Sequence, residues 1–297
     1  MPSLLRPAHL AARAMRVPSQ SQPSVSGYEL AGLMARGNQF EIYRARAAGQ
    51  RKHESADYAI KIIRADIADR ELARAILRRE AKVASTVCHA NLISVFDCQL
   101  APNDQQADYL VMPNLPGRTL EQLLNLPAQV PVPQALWYVR QVAEALSALH
   151  AQGWLHGDVK PANLIVSDQG HVTLIDLGLA RQAGSAECRT ENWLAGDAAY
   201  LSPEALIPGY QLTTAADVYS LGLSLLHLLR GEAVSSEAKL VDHWQAANDL
   251  RVSRPDVNRE VATLIAKMTA NEPLRRPIIS ELLSSISRLE IESLMQW

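Results

Sequence analysis

Leu155-His156-Gly157-Asp158-Val159-Lys160-Pro161-Ala162-Asn163-Leu164-Ile165-Val166 is the stretch on which the reading of this chain turns. Gly153 closes a helix before it, and Leu164, Ile165 and Val166 make a short apolar strand after it. Between them lies a polar loop with an acid, a base and an amide at positions 158, 160 and 163. An acid can hold a hydroxyl ready to attack a phosphate. A lysine can neutralise charge on a moving phosphoryl group, and an asparagine can hold a magnesium ion. Asp176, in Leu174-Ile175-Asp176-Leu177-Gly178, can supply a second ligand to that ion. A loop whose polar groups merely satisfy its own backbone is the plainer reading, and an Asp five residues before an Asn does not displace it. Lys160 between the two, with Asp-x-Gly after a second strand, does.

The stretch resembles the catalytic loop of eukaryotic-type (Hanks-type) serine/threonine protein kinases. The family pattern His-Arg-Asp-x-x-x-x-Asn becomes His156-Gly157-Asp158 through Asn163, with Gly where Arg is usual. The resemblance covers residues 28 to about 290 and implies an α+β, protein-kinase-like two-lobed fold. The expected organisation is a mobile tail over 1–26, a small β-rich N-lobe with one long helix over 27–112, a hinge over 113–119 and a mostly helical C-lobe over 120–297. Residues 1–26 carry Arg6, Arg13 and Arg16 with no acid before Glu29, which loosely suggests a transit-type segment. Pro7, Pro18 and Pro23 break any helix there and favour a tail.

In the N-lobe, Met34-Ala35-Arg36-Gly37-Asn38-Gln39-Phe40-Glu41-Ile42 stands where the resemblance requires the glycine-rich phosphate loop, Gly-x-Gly-x-x-Gly-x-Val. Ala35 and Phe40 replace the outer glycines and only Gly37 remains, so fewer backbone amides can approach a phosphate. Taken alone, this stretch is an ordinary hairpin. Lys61, among apolar residues in Tyr58-Ala59-Ile60-Lys61-Ile62-Ile63, is either an edge-strand gatekeeper or the lysine that grips nucleotide phosphates. A helix is expected from Asp66 to Thr86, with Ile76, Glu80, Val83 and Val87 on one face. A carboxylate on an apolar face needs a cation. The resemblance makes Lys61 and Glu80 the ion pair of an active kinase. It also lines the nucleotide site with Met34, Ala35, Gly37, Ile42, Ala59, Met112, Leu115 and Ile165, with Leu115 offering its backbone N–H to adenine.

In the C-lobe, a helix beginning at Pro133 presents Leu136, Val139, Ala143, Leu146 and Leu149 on one face. The aperiodic segment 176–204 resembles an activation segment, bracketed by Asp176-Leu177-Gly178 and Ser202-Pro203-Glu204. Asp197 stands where the family carries a Thr that touches the catalytic groups. Thr214 and Asp217 have the spacing of a helix-capping box, the resemblance makes Asp217 a brace for the catalytic loop's backbone, and the two readings are compatible. Arg276 matches the arginine that pairs with Glu204. Gly157 cannot receive a phosphate from the activation segment, so activity is expected not to depend on phosphorylation of Ser185 or Thr190.

The near-neutral balance, a net charge of −2, gives no reason to expect nucleic acid or an acidic membrane surface as partner. Three cysteines without metal-ligand spacing fit a reduced, cytoplasmic setting. The best apolar run, Leu221 to Leu229, is too short to span a bilayer and reads as a buried helix, so no membrane-anchored sensor is expected. The alanine-rich, phenylalanine-poor composition fits a bacterial source. The resemblance then implies an enzyme that uses ATP and Mg2+ to phosphorylate Ser or Thr of protein substrates, and the lack of a membrane span or appended sensor suggests that a soluble partner delivers regulation. In it, Asp158 and Lys160 are catalytic, Asn163 and Asp176 hold metal, and Lys61 holds phosphates. Two rival readings stay open. His-Gly-Asp also occurs in small-molecule kinases of this broad fold, and the eroded glycine loop fits a nucleotide-binding scaffold without catalysis.

Overall fold

The computed structural model describes residues 23–51, 54–100, 107–126, 129–185, 199–231 and 243–295. The expectations placed on residues 1–22 and on Cys188, Thr190 and Asp197 lie outside them.

The first half is a five-stranded antiparallel sheet in the order β1-β2-β3-β5-β4 with one long helix against it. The strands are β1 (Tyr28–Arg36), β2 (Phe40–Ala47), β3 (Tyr58–Ile63), β4 (Asp97–Gln99) and β5 (Tyr109–Pro113), and the helix is α1 (Arg70–Thr86). β3 is central, which removes the edge-gatekeeper reading of Lys61. Alternation sends Ile60 and Ile62 to one apolar cluster with Tyr43 and Val111. It sends Ala59 and Lys61 to the other face, toward the cleft. Val25 is buried in that first cluster, so packing begins inside the segment expected to be a tail. α1 starts at Arg70, four residues later than expected, because Asp69 caps it by accepting from the Leu72 amide. Asp66, expected inside the helix, instead pairs with Arg64 at 2.6 Å.

The second half is mostly helical. A short three-stranded sheet carries the site: β6 (Arg118–Thr119) bonds to β8 (Leu164–Val166), which bonds to β9 (Val172–Leu174). Around it pack α2 (Leu120–Leu124), α3 (Val132–Ala151), α4 (Ala215–Arg230), α5 (His243–Ser253), α6 (Arg259–Met268) and α7 (Ile279–Leu294). A further ribbon joins β7 (Trp154–Leu155) to β10 (Arg181–Gln182). The α3 face named from the sequence is buried throughout, and α4 is enclosed from Ala216 to Leu229. No helix among the described residues is long and apolar enough to cross a membrane.

Thr214 makes no side-chain cap, so the capping-box reading fails. The Asp217 carboxylate is spent elsewhere, as described below. Arg276 and Glu204 form a buried bidentate pair at 2.6 and 2.8 Å, with side-chain exposures of 0% and 4%. The guanidinium also donates to the carbonyls of Ala270, Asn271 and Ala215 and lies over the Tyr219 ring. Removing one partner leaves a buried charge uncompensated, which costs about 3–5 kcal/mol. Glu204→Ala should therefore lower stability by about that much in chemical denaturation. Glu204→Met with Arg276→Met should cost clearly less than the sum of the single changes. A loss under about 1 kcal/mol for Glu204→Ala would show that the pair does not hold this corner.

Candidate active site

The site is assembled from two cradles. The first is the catalytic stretch. Pro161–Asn163 forms one 3-10 turn between β7 and β8, which folds Lys160 and Asn163 back onto Asp158. Lys160 Nζ lies 2.9 Å from Asp158 Oδ2. Asn163 Nδ2 donates to the same oxygen and to the Asp158 carbonyl, both at 2.8 Å. The Asp158 Oδ1 oxygen takes no bond among the described residues. Burial pushes the Asp158 carboxyl above the ordinary aspartate range, and the Lys160 ammonium partly opposes that shift.

The backbone of this loop is held by one side chain 60 residues away. Asp217 accepts from the His156 and Gly157 amides and from His150 Nε2, each at 2.9 Å. Burial alone would raise the Asp217 carboxyl, but these donors, led by His150, hold it below the ordinary range. The His156 ring ties the loop to the next strand, with Nε2 facing the Ile175 carbonyl at 3.2 Å and Nδ1 facing the Asp158 amide at 3.2 Å. A neutral ring with its proton on Nε2 satisfies both contacts. Sequence reasoning gave neither histidine a role. The available signal was a polar residue on the buried side of an apolar helix for His150, and the head of the motif itself for His156. Gly157 sits at φ +78, and a Cβ there would lie 2.9 Å from the Leu179 carbonyl oxygen. The backbone, not only the missing side chain, therefore sets this position.

The second cradle is an ammonium shared by two carboxylates. Lys61 Nζ lies 2.8 Å from Glu80 Oε2 and 2.9 Å from Asp176 Oδ1. The expected Lys61–Glu80 bridge is thus present. α1 is fixed at its first turns by Arg70, 2.9 Å from the buried Asp108. Burial would lower the Lys61 ammonium, but Asp176 and Glu80 more than reverse this and hold it above the usual lysine value. Burial pushes Glu80 up against the pull of Lys61. The Asp176 side chain keeps 42% of its exposure and, against its own desolvation, is held below the ordinary range by Lys61. Asp176 is the single non-glycine residue with positive φ, +66, among those described, a conformation that costs about 1–3 kcal/mol unless surroundings impose it. They do. The Gly178 amide bonds Asp176 Oδ1 at 3.4 Å, and a Cβ on Gly178 would meet Ile76 Cγ2 of α1 at 2.5 Å.

The cradles meet because Ile175 N donates to the Asn163 carbonyl at 2.9 Å. The other expected residues fall on the N-lobe strands, the segment after β5 and β8. Ile42 pairs with Lys61 across β2 and β3, and Ala59 with Met112 across β3 and β5. Ile165 is the half-buried member of β8 between buried Leu164 and Val166. Leu115 is half-buried after Pro113, which extends β5 into the expected hinge. Met34, Ala35 and Gly37 lie exposed at the end of the β1–β2 hairpin. Among the described residues no group of three His, Cys, Asp or Glu could hold a metal. That donor set does not suit a metal caged by protein alone. It suits magnesium, which takes one or two protein oxygens plus phosphate and water. Asp176 keeps exposed oxygen, and Asn163, its Nδ2 committed to Asp158, has its amide oxygen left.

A 13C titration of the Asp158 carboxyl should give a midpoint above that of an ordinary aspartate. Lys160→Met should raise it further, because the opposing ammonium is gone. A midpoint in the usual range, or one that falls in the variant, would contradict this electrostatic account.

Comparison with known proteins agrees with this geometry. The protein kinase domain model matches residues 28–286. The chain is 34% identical over 207 residues to the serine/threonine-protein kinase PknB of Mycobacterium leprae, covering 69% of this chain and 32% of that one. It is 31% identical over 226 residues to the serine/threonine-protein kinase PrkC of Bacillus subtilis, covering 74% and 34%. With PknB of Mycolicibacterium smegmatis it shares 32% identity over 259 residues, covering 84% and 40%. It spans about a third of the length of the first two relatives. With its two cradles, its β-sheet and helical halves and these relatives, the chain belongs to the protein kinase family, on the bacterial Hanks-type branch.

Proposed function

We propose that this chain is a cytoplasmic, ATP- and Mg2+-dependent serine/threonine protein kinase that transfers the γ-phosphate to protein hydroxyls. The observation that carries the reading is the meeting of the Lys61–Glu80–Asp176 cluster with the Asp158–Lys160–Asn163 loop through the Ile175–Asn163 backbone bond. The N-lobe is taken as 27–112, the hinge as 113–119 and the C-lobe as 120–297, with 1–26 as a tail outside both lobes. Val25 is the exception noted above.

Asp158 orients the acceptor hydroxyl and receives its proton on the free Oδ1. Lys160, already beside Asp158, stabilises charge on the transferring group. Lys61, aligned by Glu80, holds the nucleotide phosphates. Asn163 and Asp176 would hold magnesium, which when bound neutralises charge on the phosphates. Met34, Ala35, Gly37, Ile42, Ala59, Met112, Leu115 and Ile165 form the walls of the nucleotide site. The free thiols Cys88 and Cys98 and the absence of a membrane-spanning helix among the described residues support a cytoplasmic setting. A soluble regulatory partner belongs to the same reading. Gly157 offers no side chain to a segment phosphate, and the Glu204–Arg276 pair holds only the far end of that segment.

The small-molecule reading rested on Gly157, for which the backbone supplies its own reason. The relatives named as serine/threonine-protein kinases and the Glu204–Arg276 and Asp217 contacts weigh against it. The intact charged groups of both cradles weigh against a scaffold without catalysis.

Asp158→Asn should cut phosphate transfer to a generic Ser/Thr protein acceptor by roughly 10²–10⁴-fold while leaving ATP binding nearly unchanged, because it keeps shape and loses the base. Lys61→Met should weaken nucleotide use as well. Wild-type turnover by Asp158→Asn, or labelled phosphate appearing only on small hydroxylated acceptors, would overturn the assignment.

A further inference from the structure

The residue in the place of the third loop glycine is not a neutral replacement. Phe40 opens β2 and shares a face with Ile42, whose direct partner across the sheet is Lys61. Phe40 therefore sits diagonal to Lys61 on the cleft side of the sheet. Its ring covers the ammonium, with Lys61 Nζ 4.7 Å from the ring centroid, within the range of cation–π attraction. An ammonium has three donors. Glu80 and Asp176 take two, and the third has no oxygen acceptor among the described residues and lies under the ring. The Lys61 side chain is left 5% exposed. A phosphate oxygen cannot reach that nitrogen while the ring stays.

The hairpin above the ring cannot lift freely to make room. The Gly37 amide is bonded to the Phe40 carbonyl at 2.8 Å. Arg64 Nη1 donates to the Gly37 carbonyl at 2.8 Å and to the Asn38 carbonyl at 3.3 Å, and the Arg64 amide donates to Gln39 at 3.0 Å. Asp66 holds that guanidinium at 2.6 Å. With the loop backbone tied to the end of β3, rotation of the side chain is the way open.

We propose that the Phe40 ring is a phosphate-sensing gate of the nucleotide site: it occupies the phosphate position on Lys61 and must be displaced by nucleotides that carry a polyphosphate, but not by the nucleoside. The gate lowers affinity for ATP and ADP and leaves adenosine unaffected. It deepens the nucleotide-binding reading above and rests on it.

The protein has two phenylalanines, Phe40 and Phe96, and Phe96 is exposed beside Tyr58, away from Lys61. The full chain labelled with fluorophenylalanine therefore gives two 19F signals. Magnesium with ATP should shift the Phe40 signal and leave Phe96 in place, whereas adenosine should shift neither by a comparable amount. Calorimetry should show ATP binding about tenfold tighter in both Phe40→Ala and Phe40→Gly, with adenosine affinity unchanged. Tightening in Phe40→Gly alone would mean that backbone approach, not the ring, is limiting, and would overturn the proposal. So would equal tightening of adenosine, or a Phe40 signal that ATP leaves in place. If wild type and both variants bind neither ATP nor adenosine, the nucleotide reading fails and the gate with it. If ATP binds but the ring does not respond, only the gate fails.

Discussion

One buried ammonium, that of Lys61, joins the parts of this protein that must act together. Its strand is the middle of the sheet. Its two carboxylate partners come from α1 and from the turn after β9. A lysine buried in this way is tolerated only while it is paired, so the sheet, the helix and the Asp176 turn have no independent low-energy placement. The same cluster carries one positive and two negative formal charges. In the proposed reading it is therefore short of positive charge for a polyphosphate, an imbalance that a divalent cation would correct.

The catalytic stretch depends on a different kind of support. Its backbone is irregular and lies against buried apolar elements, so its amides need acceptors inside the protein. Asp217 supplies them for His156 and Gly157, and the His156 ring links the Asp158 amide to Ile175. The enclosed helix α4 thus reaches Asp158 through the loop backbone. Glu204 and Arg276 fasten the same helix to the end of the activation segment, since Arg276 also bonds the Ala215 carbonyl at its start. Support for the base and support for that segment converge on α4.

Much of the candidate site was legible because its residue types are chemically uncommon in their settings. A lysine inside a β-branched strand, a glutamate on an apolar helix face and an Asp-x-Lys-x-x-Asn loop each need a partner, and each pointed to the next. The elements were legible through periodicity, as on α3 and α4. Boundaries were less so. α1 begins late because Asp69 rather than Asp66 is the cap, and Asp66 pairs instead with Arg64 at the end of β3. Thr214 and Asp217 have the spacing of a cap, yet the carboxylate is worth more to three donors of the loop and α3 than to its own helix end.

By itself, the sequence determined which groups are present, their order and the periods that place them on helices or strands. These are local properties, set by side-chain chemistry and backbone preference. Only the tertiary structure decided which donor meets which acceptor across tens of residues. It turned Asp176 into a left-handed turn on Lys61, gave Gly157 a backbone reason and brought His150 to Asp217. It also laid the Phe40 ring over the ammonium. In the sequence that phenylalanine is a lost glycine. Strand register and the reach of a lysine across the sheet make it a cover on the charge at the centre of the site.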